Sequence, residues 1–430
     1  MPNKKPEKRN PWAWVPTLYF AEGTPYVLVN IVSVIMYKRL GESNTNITLY
    51  TSLLYLPWVI KPFWGPIVDA LKTKRWWIIF MELIVGAGLA GVALSIPTDN
   101  FFRYTLAFFW LIAFSSATHD IAADGFYMLG LDKHEQAFFV GIRNTFYRLA
   151  MITGQLLLVV LAGYLETSLK NIPLAWTIAI ILMACLYLLL FVYHKFILPF
   201  PKIDKSIVET VSVKNVLKEF FVTFLKFFKR NNIGIILGFI LLYRLGEAQL
   251  SKIVPLFLLD PKTAGGIGLS TIQVGIIYGT VGIIALTIGG ILGGIVAAKQ
   301  GLKYWIWWML IAINLPDFVY VYLSFTQSSN LFLVNVLIAV EQFGYGFGFT
   351  AFMLYLIYIS EGDHSTSHYA IATGLMALGM MIPGMFSGWL QHIVGYKHFF
   401  VIVCVLTIPA FIITKFIPLD PEFGKKQIQN

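Results

Sequence analysis

The chain has 430 residues, of which 57% are apolar and only 13% charged, with a mean hydropathy of +0.72. A soluble domain covers its surface with about 25% charged residues, so half that share means that most of this surface meets lipid. The net charge of +10 does not point to nucleic acid, because the cations sit in the breaks between apolar runs, where membrane proteins carry them.

The basic N-terminus, MPNKKPEKRNP, leads into an apolar segment at 13–37. That segment is too long for a signal-peptide core and has no small-residue cleavage site, which predicts a retained first span. A helix needs about 20 residues to cross about 30 Å of hydrocarbon. By that measure twelve spans are expected, at 13–37, 47–67, 76–96, 102–127, 138–165, 172–194, 233–258, 271–298, 303–325, 331–359, 368–392 and 397–417. Of the loop lysines and arginines, twenty fall on the side of the two termini and six on the other, which predicts that both termini are cytoplasmic. The two cysteines, Cys185 and Cys404, lie in apolar stretches without CxxC or Cys/His spacing, so neither a disulfide framework nor a metal site is expected.

The longest polar interruption, 195–232, divides two six-span halves, and from about Val208 to Arg230 apolar residues alternate with lysines at helical spacing. This predicts a helix along the inner leaflet, which is equally a tether between the halves. Each half has a glycine-bearing segment and a basic turn between its second and third spans, GPIVDALKTKR at 65–75 and GGIVAAKQGLK at 293–303. The expectation is an all-α integral membrane protein with an N-terminal bundle at 1–194, a cytoplasmic linker at 195–232 and a C-terminal bundle at 233–430. That is the layout of many secondary transporters.

Several ionisable residues fall well inside predicted spans, among them these ten: Glu22, Glu82, Asp120, Asp124, Arg148, Arg244, Glu247, Lys252, Asp317 and Glu341. Each costs about 2.5–3.5 kcal/mol at a helix centre unless it pairs, snorkels or faces water, so together they are expected to line an interior path. In span four, Ser116, Asp120 and Asp124 repeat at i, i+4 and form a stripe. Two acids a turn apart suit a carboxyl that exchanges a proton, and pairing with Arg143 or Arg148 of span five is the structural alternative. In span seven, Arg244 and Glu247 are three apart: they pair on one face, or Arg244 binds an anionic substrate. In span ten, Glu341 precedes Tyr345 among three glycines that serve packing or bending. Pro25 is expected to kink span one and free carbonyls beside Glu22. Tyr19, Tyr147, Tyr243 and Tyr345 are candidates for stacking on a saccharide. No HExxH, no Gly-x-Ser-x-Gly and no His/Asp cluster supports an enzyme, while a sensor built on a transporter fold stays open.

The loop GPIVDALKTKR resembles the signature loop of the major facilitator superfamily, with Gly65, Asp69, Lys74 and Arg75 at its characteristic positions and Ala70 and Lys72 departing from it. The resemblance implies that the loop's acid helps hold the cytoplasmic side closed; the second copy has Ala297 in that place. Within the superfamily the chain is similar to the muropeptide permease (AmpG) group and its acetyl-CoA transporter relatives. The similarity rests on FAEGTPY, SATHDIAAD, YRLAM, YRLGEA, EQFGYGFGFTAF and HSTSHYAIATGLMALG, in that order along the chain. It implies alternating access and proton-coupled import of anhydro-muropeptides across a bacterial inner membrane. Its small-molecule substrate would be an anionic glycopeptide, its other partners protons and the bilayer, with no nucleic acid, no cofactor and no metal. Transport of acetyl-CoA or a drug-like amphiphile is the alternative. On this reading Arg148, Arg244, Tyr147, Glu247 and Tyr345 bind substrate, and Asp120, Asp124, Glu22 and Glu341 are candidates for the coupling proton.

Overall fold

The computed structural model describes residues 9–201, 204, 213–362 and 365–424. In chain order its helices are α1 (Pro11–Arg39), α2 (Asn44–Leu53), α3 (Leu56–Leu71), α4 (Lys74–Ser95), α5 (Phe101–Gly130), α6 (His134–Leu169) and α7 (Ile172–Ile197). There follow α8 (Val213–Phe228), α9 (Ile233–Leu242), α10 (Leu245–Leu259), α11 (Thr271–Gln300), α12 (Leu302–Thr326), α13 (Leu331–Ser360), α14 (Ser365–Leu406) and α15 (Ile408–Thr414). Polar residues at the breaks start several of them. Ser43, Thr73 and Asn171 accept backbone N–H groups of α2, α4 and α7, and Asp132 and Glu135 form a reciprocal box at the start of α6.

Among the described residues ten helices are long and apolar enough to cross a membrane, counting α9 with α10 and α14 with α15 as one each. The twelve-span expectation differs at two places. The segment predicted at 47–67 is divided by a turn at Leu54 and Tyr55 into α2 and α3, of 10 and 16 residues. The two segments predicted at 368–392 and 397–417 fall on one stretch of 48 residues, Ser367–Thr414, interrupted at Gly395, whose φ of 71° only glycine adopts readily.

The chain forms two compact units, residues 1–40 with 60–221, and residues 41–59 with 222–430. In the first, α4 packs on both α5 and α7, while α1 lies between α5 and α6. Gly23 of α1 sits so close to α6 that an added Cβ would stand 3.0 Å from the Tyr147 carbonyl. In the second, α13 is packed between α11 and α12, and α14 contacts α10 and α2. Here the glycines of EQFGYGFG are contact surface: a Cβ at Gly346 would stand 2.0 Å from the Leu286 carbonyl of α11. At Gly344 and Gly348 it would meet the Ala312 and Met309 carbonyls of α12 at 2.0 and 2.5 Å. The side of α8 bearing Phe227 joins this unit's apolar core with Phe239 and Tyr355, and Phe221, Val222 and Leu225 stay exposed.

Among the described residues three helices contain a π-turn, at Leu28–Val32 in α1, Thr153–Leu158 in α6 and Ile277–Gly282 in α11. Pro25 does not break α1, which runs on through it. The proline removes the partner of the Ala21 carbonyl, and Tyr187 of α7 takes that carbonyl with its hydroxyl at 2.5 Å.

Candidate functional site

In the first unit the acidic stripe of α5 meets a cation from each of two other helices. Asp124 Oδ1 accepts from Tyr19 Oη at 3.1 Å and from Arg143 Nη1 at 3.3 Å. The Arg143 guanidinium also donates to Tyr19 Oη at 3.0 Å and lies over the rings of Tyr19 and Tyr127, 4.9 and 5.1 Å from their centroids. Asp120, one turn away, pairs instead with Lys61 of α3, Oδ2 to Nζ at 3.4 Å. Glu22 of α1 lies in the electrostatic field of Asp120, Asp124, Lys61 and Arg143, and its Oε2 is buried with no hydrogen-bond partner among the described residues. Tyr147 of α6 and Tyr26 of α1 complete the surround. Of the two residues of α6 that were expected as alternatives, Arg143 takes an acid, and Arg148 is half-buried.

In the second unit the helix breaks at Tyr243 and Arg244, where Arg244 has φ −112° and ψ 24°. The break turns its guanidinium to Tyr345, whose hydroxyl accepts at 2.6 Å, and over the ring of Phe349, 4.7 Å from the centroid. Arg244 and Tyr345 thus meet, and Glu247, a turn further on, lies in the electrostatic field of Arg244 and Glu341. Tyr243 is fully buried and donates to the Gly348 carbonyl at 3.0 Å, so it packs rather than presenting a ring to a ligand. Glu341 is buried, with Oε2 accepting from Tyr320 Oη at 2.8 Å and Gln342 Nε2 at 2.9 Å. Asp317, in a short 3-10 turn after Pro316, is buried too, and its Oδ2 has no hydrogen-bond partner among the described residues. Lys252 donates to the Thr51 carbonyl and hydroxyl of α2, each at 3.3 Å.

Of the loop residues, Gly65 lies on α3 with Ile121 4.0 Å from its would-be Cβ, and the side chain of Asp69 falls outside the described residues. Lys74 and Arg75 donate their backbone N–H groups to the two carboxylate oxygens of Asp204, at 2.7 and 3.1 Å. Arg75 also donates to the Lys195 carbonyl at 2.6 Å at the end of α7.

Two features escaped the sequence reading. Lys61 is one, because it sits among prolines and aromatics near the end of its predicted span, where a lysine ordinarily snorkels. The other is a clamp on Glu82, whose Oε1 lies 2.6 Å from His194 Nδ1 and 3.3 Å from His119 Nε2, with all three side chains buried. His194 Nε2 in turn meets Thr17 Oγ1 at 2.9 Å. Glu82 was visible as an acid needing a partner; its partners lie 37 and 112 residues away, and no local spacing reveals them.

The sequence pattern of the Major Facilitator Superfamily matches residues 17–362. The chain belongs to this superfamily and is a multi-pass membrane transporter of a small molecule, not an enzyme. This facilitator is 26% identical over 403 residues to the anhydromuropeptide permease of Escherichia coli (strain K12), covering 92% of this chain and 77% of that one. It is 25% identical to the putative transporter AmpG 4 of Rickettsia conorii (strain ATCC VR-613 / Malish 7), covering 93% and 94%. Among solved structures it resembles the nucleoside transporter NupG, with a TM-score of 0.68 at 16% identity over 93% of this chain and 97% of that one. A D-xylose–proton symporter matches with a TM-score of 0.67 at 16% identity, over 95% and 97%. These likenesses establish the fold of the facilitator.

Proposed function

We propose that this facilitator imports anhydro-muropeptides across a bacterial inner membrane, driven by protons and alternating access. The observation that carries the reading is the five-residue charge network of Glu22, Lys61, Asp120, Asp124 and Arg143, set within apolar helices of a chain similar over nine-tenths of its length to an anhydromuropeptide permease. Carboxyls that are half-sheltered and paired with cations suit proton exchange during a transport cycle. The ligands are carboxylate-bearing glycopeptides, for which guanidinium groups are fitting partners.

On this reading Arg148, Arg244, Tyr147, Glu247 and Tyr345 contact substrate, with Arg244 held ready by Tyr345 and Phe349. Asp120, Asp124, Glu22 and Glu341 are the proton carriers, and Gly65, Asp69, Lys74 and Arg75 belong to the loop that controls the cytoplasmic side. The reading includes twelve spans in two six-helix bundles, 1–194 and 233–430, joined by the linker at 195–232, with both termini in the cytoplasm.

Uptake of radiolabelled anhydro-muropeptide into proteoliposomes tests the reading. Accumulation under an inward proton gradient is expected, lost in Arg244→Gln and Arg148→Gln. Asp120→Asn and Asp124→Asn should lose stimulation by the gradient and keep exchange. Vesicles that accumulate no more than empty ones would exclude this substrate, and unaltered gradient dependence in both Asn variants would move the proton to Glu22 or Glu341.

A further inference from the structure

The last turn of α7 gathers cations from three separate stretches of the chain. Arg9, just before α1, donates Nη1 to the Phe196 carbonyl. Arg75, at the start of α4, donates Nη2 to the Lys195 carbonyl at 2.6 Å and Nε to the Leu198 carbonyl at 3.3 Å. Its guanidinium lies 3.9 Å from the centroid of the Phe200 ring. The carbonyl end of a helix attracts cations, yet the two guanidiniums also stand in each other's field. Arg9, Arg75 and Lys195 are three cations against one acid, Asp204, so this group of four carries a surplus of two positive charges.

Beside Arg9 lies a groove of about 570 Å³, lined otherwise by Leu189, Val192, Tyr193, Phe196 and Ile197. The first four of these follow at i, i+3, i+4 and i+7 and share one face of α7. Leu189 and Phe196 are 67% and 68% exposed, which in a membrane span makes this a face that meets acyl chains. Tyr193 donates its hydroxyl to the Ala13 carbonyl at 2.6 Å, so an aromatic with a polar tip stands where the apolar stripe ends, as at a bilayer surface. The groove thus runs from an apolar face to a positive rim. That is the complement of one phospholipid with an anionic head. Residues 1–8 match it poorly: they bring three lysines against one glutamate and no apolar run.

We propose that the groove binds one anionic phospholipid of the leaflet on the side of the N-terminus. The headgroup lies between Arg9 and Arg75, and an acyl chain follows the stripe from Phe196 to Leu189. The attraction is between net charges and needs no vacant N–H on either arginine. A zwitterionic lipid covers the same apolar face without that attraction, because its own headgroup charges cancel. The site is independent of which substrate is carried. A bound lipid would link the chain before α1, the start of α4 and the end of α7.

The test uses the full-length chain in vesicles of equal parts phosphatidylglycerol and phosphatidylcholine with matched acyl chains. Val192→p-benzoylphenylalanine crosslinks on illumination whatever lies in the groove, and mass spectrometry of the adducts gives the ratio of the two lipids. The same replacement at Phe332, exposed at the start of α13, is the reference. Each surface cation is worth about fivefold in attraction, so phosphatidylglycerol should be enriched at Val192 at least about fivefold over Phe332. Arg9→Gln should lower the enrichment about fivefold, Arg9→Lys should keep it, and added salt should erode it. Arg9→Gln carries the comparison because Arg9 precedes the first helix, whereas Arg75 also holds the end of α7. Equal lipid ratios at the two positions overturn the site. Enrichment that survives Arg9→Gln undiminished gives the attraction to other cations and overturns it too. Adducts to residues 1–8 or to a second copy of the chain, in place of lipid, overturn the phospholipid as occupant.

Discussion

Replacing Gly388 with alanine should loosen the contact of α2 with α14. A Cβ there would stand 2.3 Å from Thr48 Oγ1 and 2.4 Å from the Asn44 carbonyl, where ordinary contact begins at 3.4 Å. Rotating the threonine relieves only the first clash; the second is against backbone, so the helices must separate by about 1 Å. Overpacking of this kind costs about 1–3 kcal/mol. At about 1.4 kcal/mol per tenfold, states in which α2 has left α14 gain roughly 5- to 150-fold. The separation also stretches the bond from Gly388 N–H to Thr48 Oγ1, now 3.0 Å, and the bond from Asn44 Nδ2 to Gln391 Oε1, also 3.0 Å. Hydrogen exchange in detergent reads this directly, because amides that exchange through opening report its population. Peptides covering 41–59 should exchange faster by that factor in Gly388→Ala, with peptides of α4 and α5 unchanged. Gly384→Ala is the graded companion. Its nearest obstacle is the Ser52 hydroxyl at 2.6 Å, a side-chain tip that can turn away, so acceleration should be much smaller. Equal exchange in wild type and Gly388→Ala would refute the argument.

Three further outcomes are expected. Glu82→Ala leaves two buried imidazoles without their shared carboxylate, and removing one partner of a buried pair costs about 3–5 kcal/mol, so the protein should melt lower in detergent; an unchanged melting temperature would show the clamp to be idle. Gly346→Ala forces a methyl against the Leu286 carbonyl and should destabilise the second unit, whereas Gly294→Ala, with nothing within 4 Å, should be neutral; comparable melting of the two variants would remove close packing as the reason for the glycine. Arg244→Lys keeps the charge but gives up the planar stack on Phe349, so muropeptide uptake should fall about tenfold or more, and wild-type uptake would leave charge alone as the requirement.

How much the sequence disclosed depended on whether the information was local. Most of the spans were legible because each apolar run is its own evidence, and Asp120 and Asp124 were legible because i, i+4 places them on one face. Their partners were not: Asp120 and Lys61 are 59 residues apart, and only the packing of α3 against α5 joins them. The helix break at Tyr243 and Arg244, which aims the guanidinium at Tyr345, was not legible either, because no proline stands at it. The kink expected at Pro25 was chemically sound, since a carbonyl is indeed freed, yet a tyrosine from a distant helix occupies it.

The π-turns have a bearing on how this chain can change. A π-turn accommodates one residue more than the α-turn it replaces, so each reads as a one-residue insertion absorbed without breaking the helix. Every residue of an α-helix advances the azimuth by about 100°, but the wider π-turn closes one turn over an extra residue, so the faces on its two sides keep their register. Deleting one residue within Thr153–Leu158 would therefore restore regular winding and leave the face that carries Arg143 and Tyr147 where it was relative to the face beyond the turn. Such a site is a buffer. Lineages can gain or lose a residue there in one mutational step without re-aiming the side chains that either side offers to the interior.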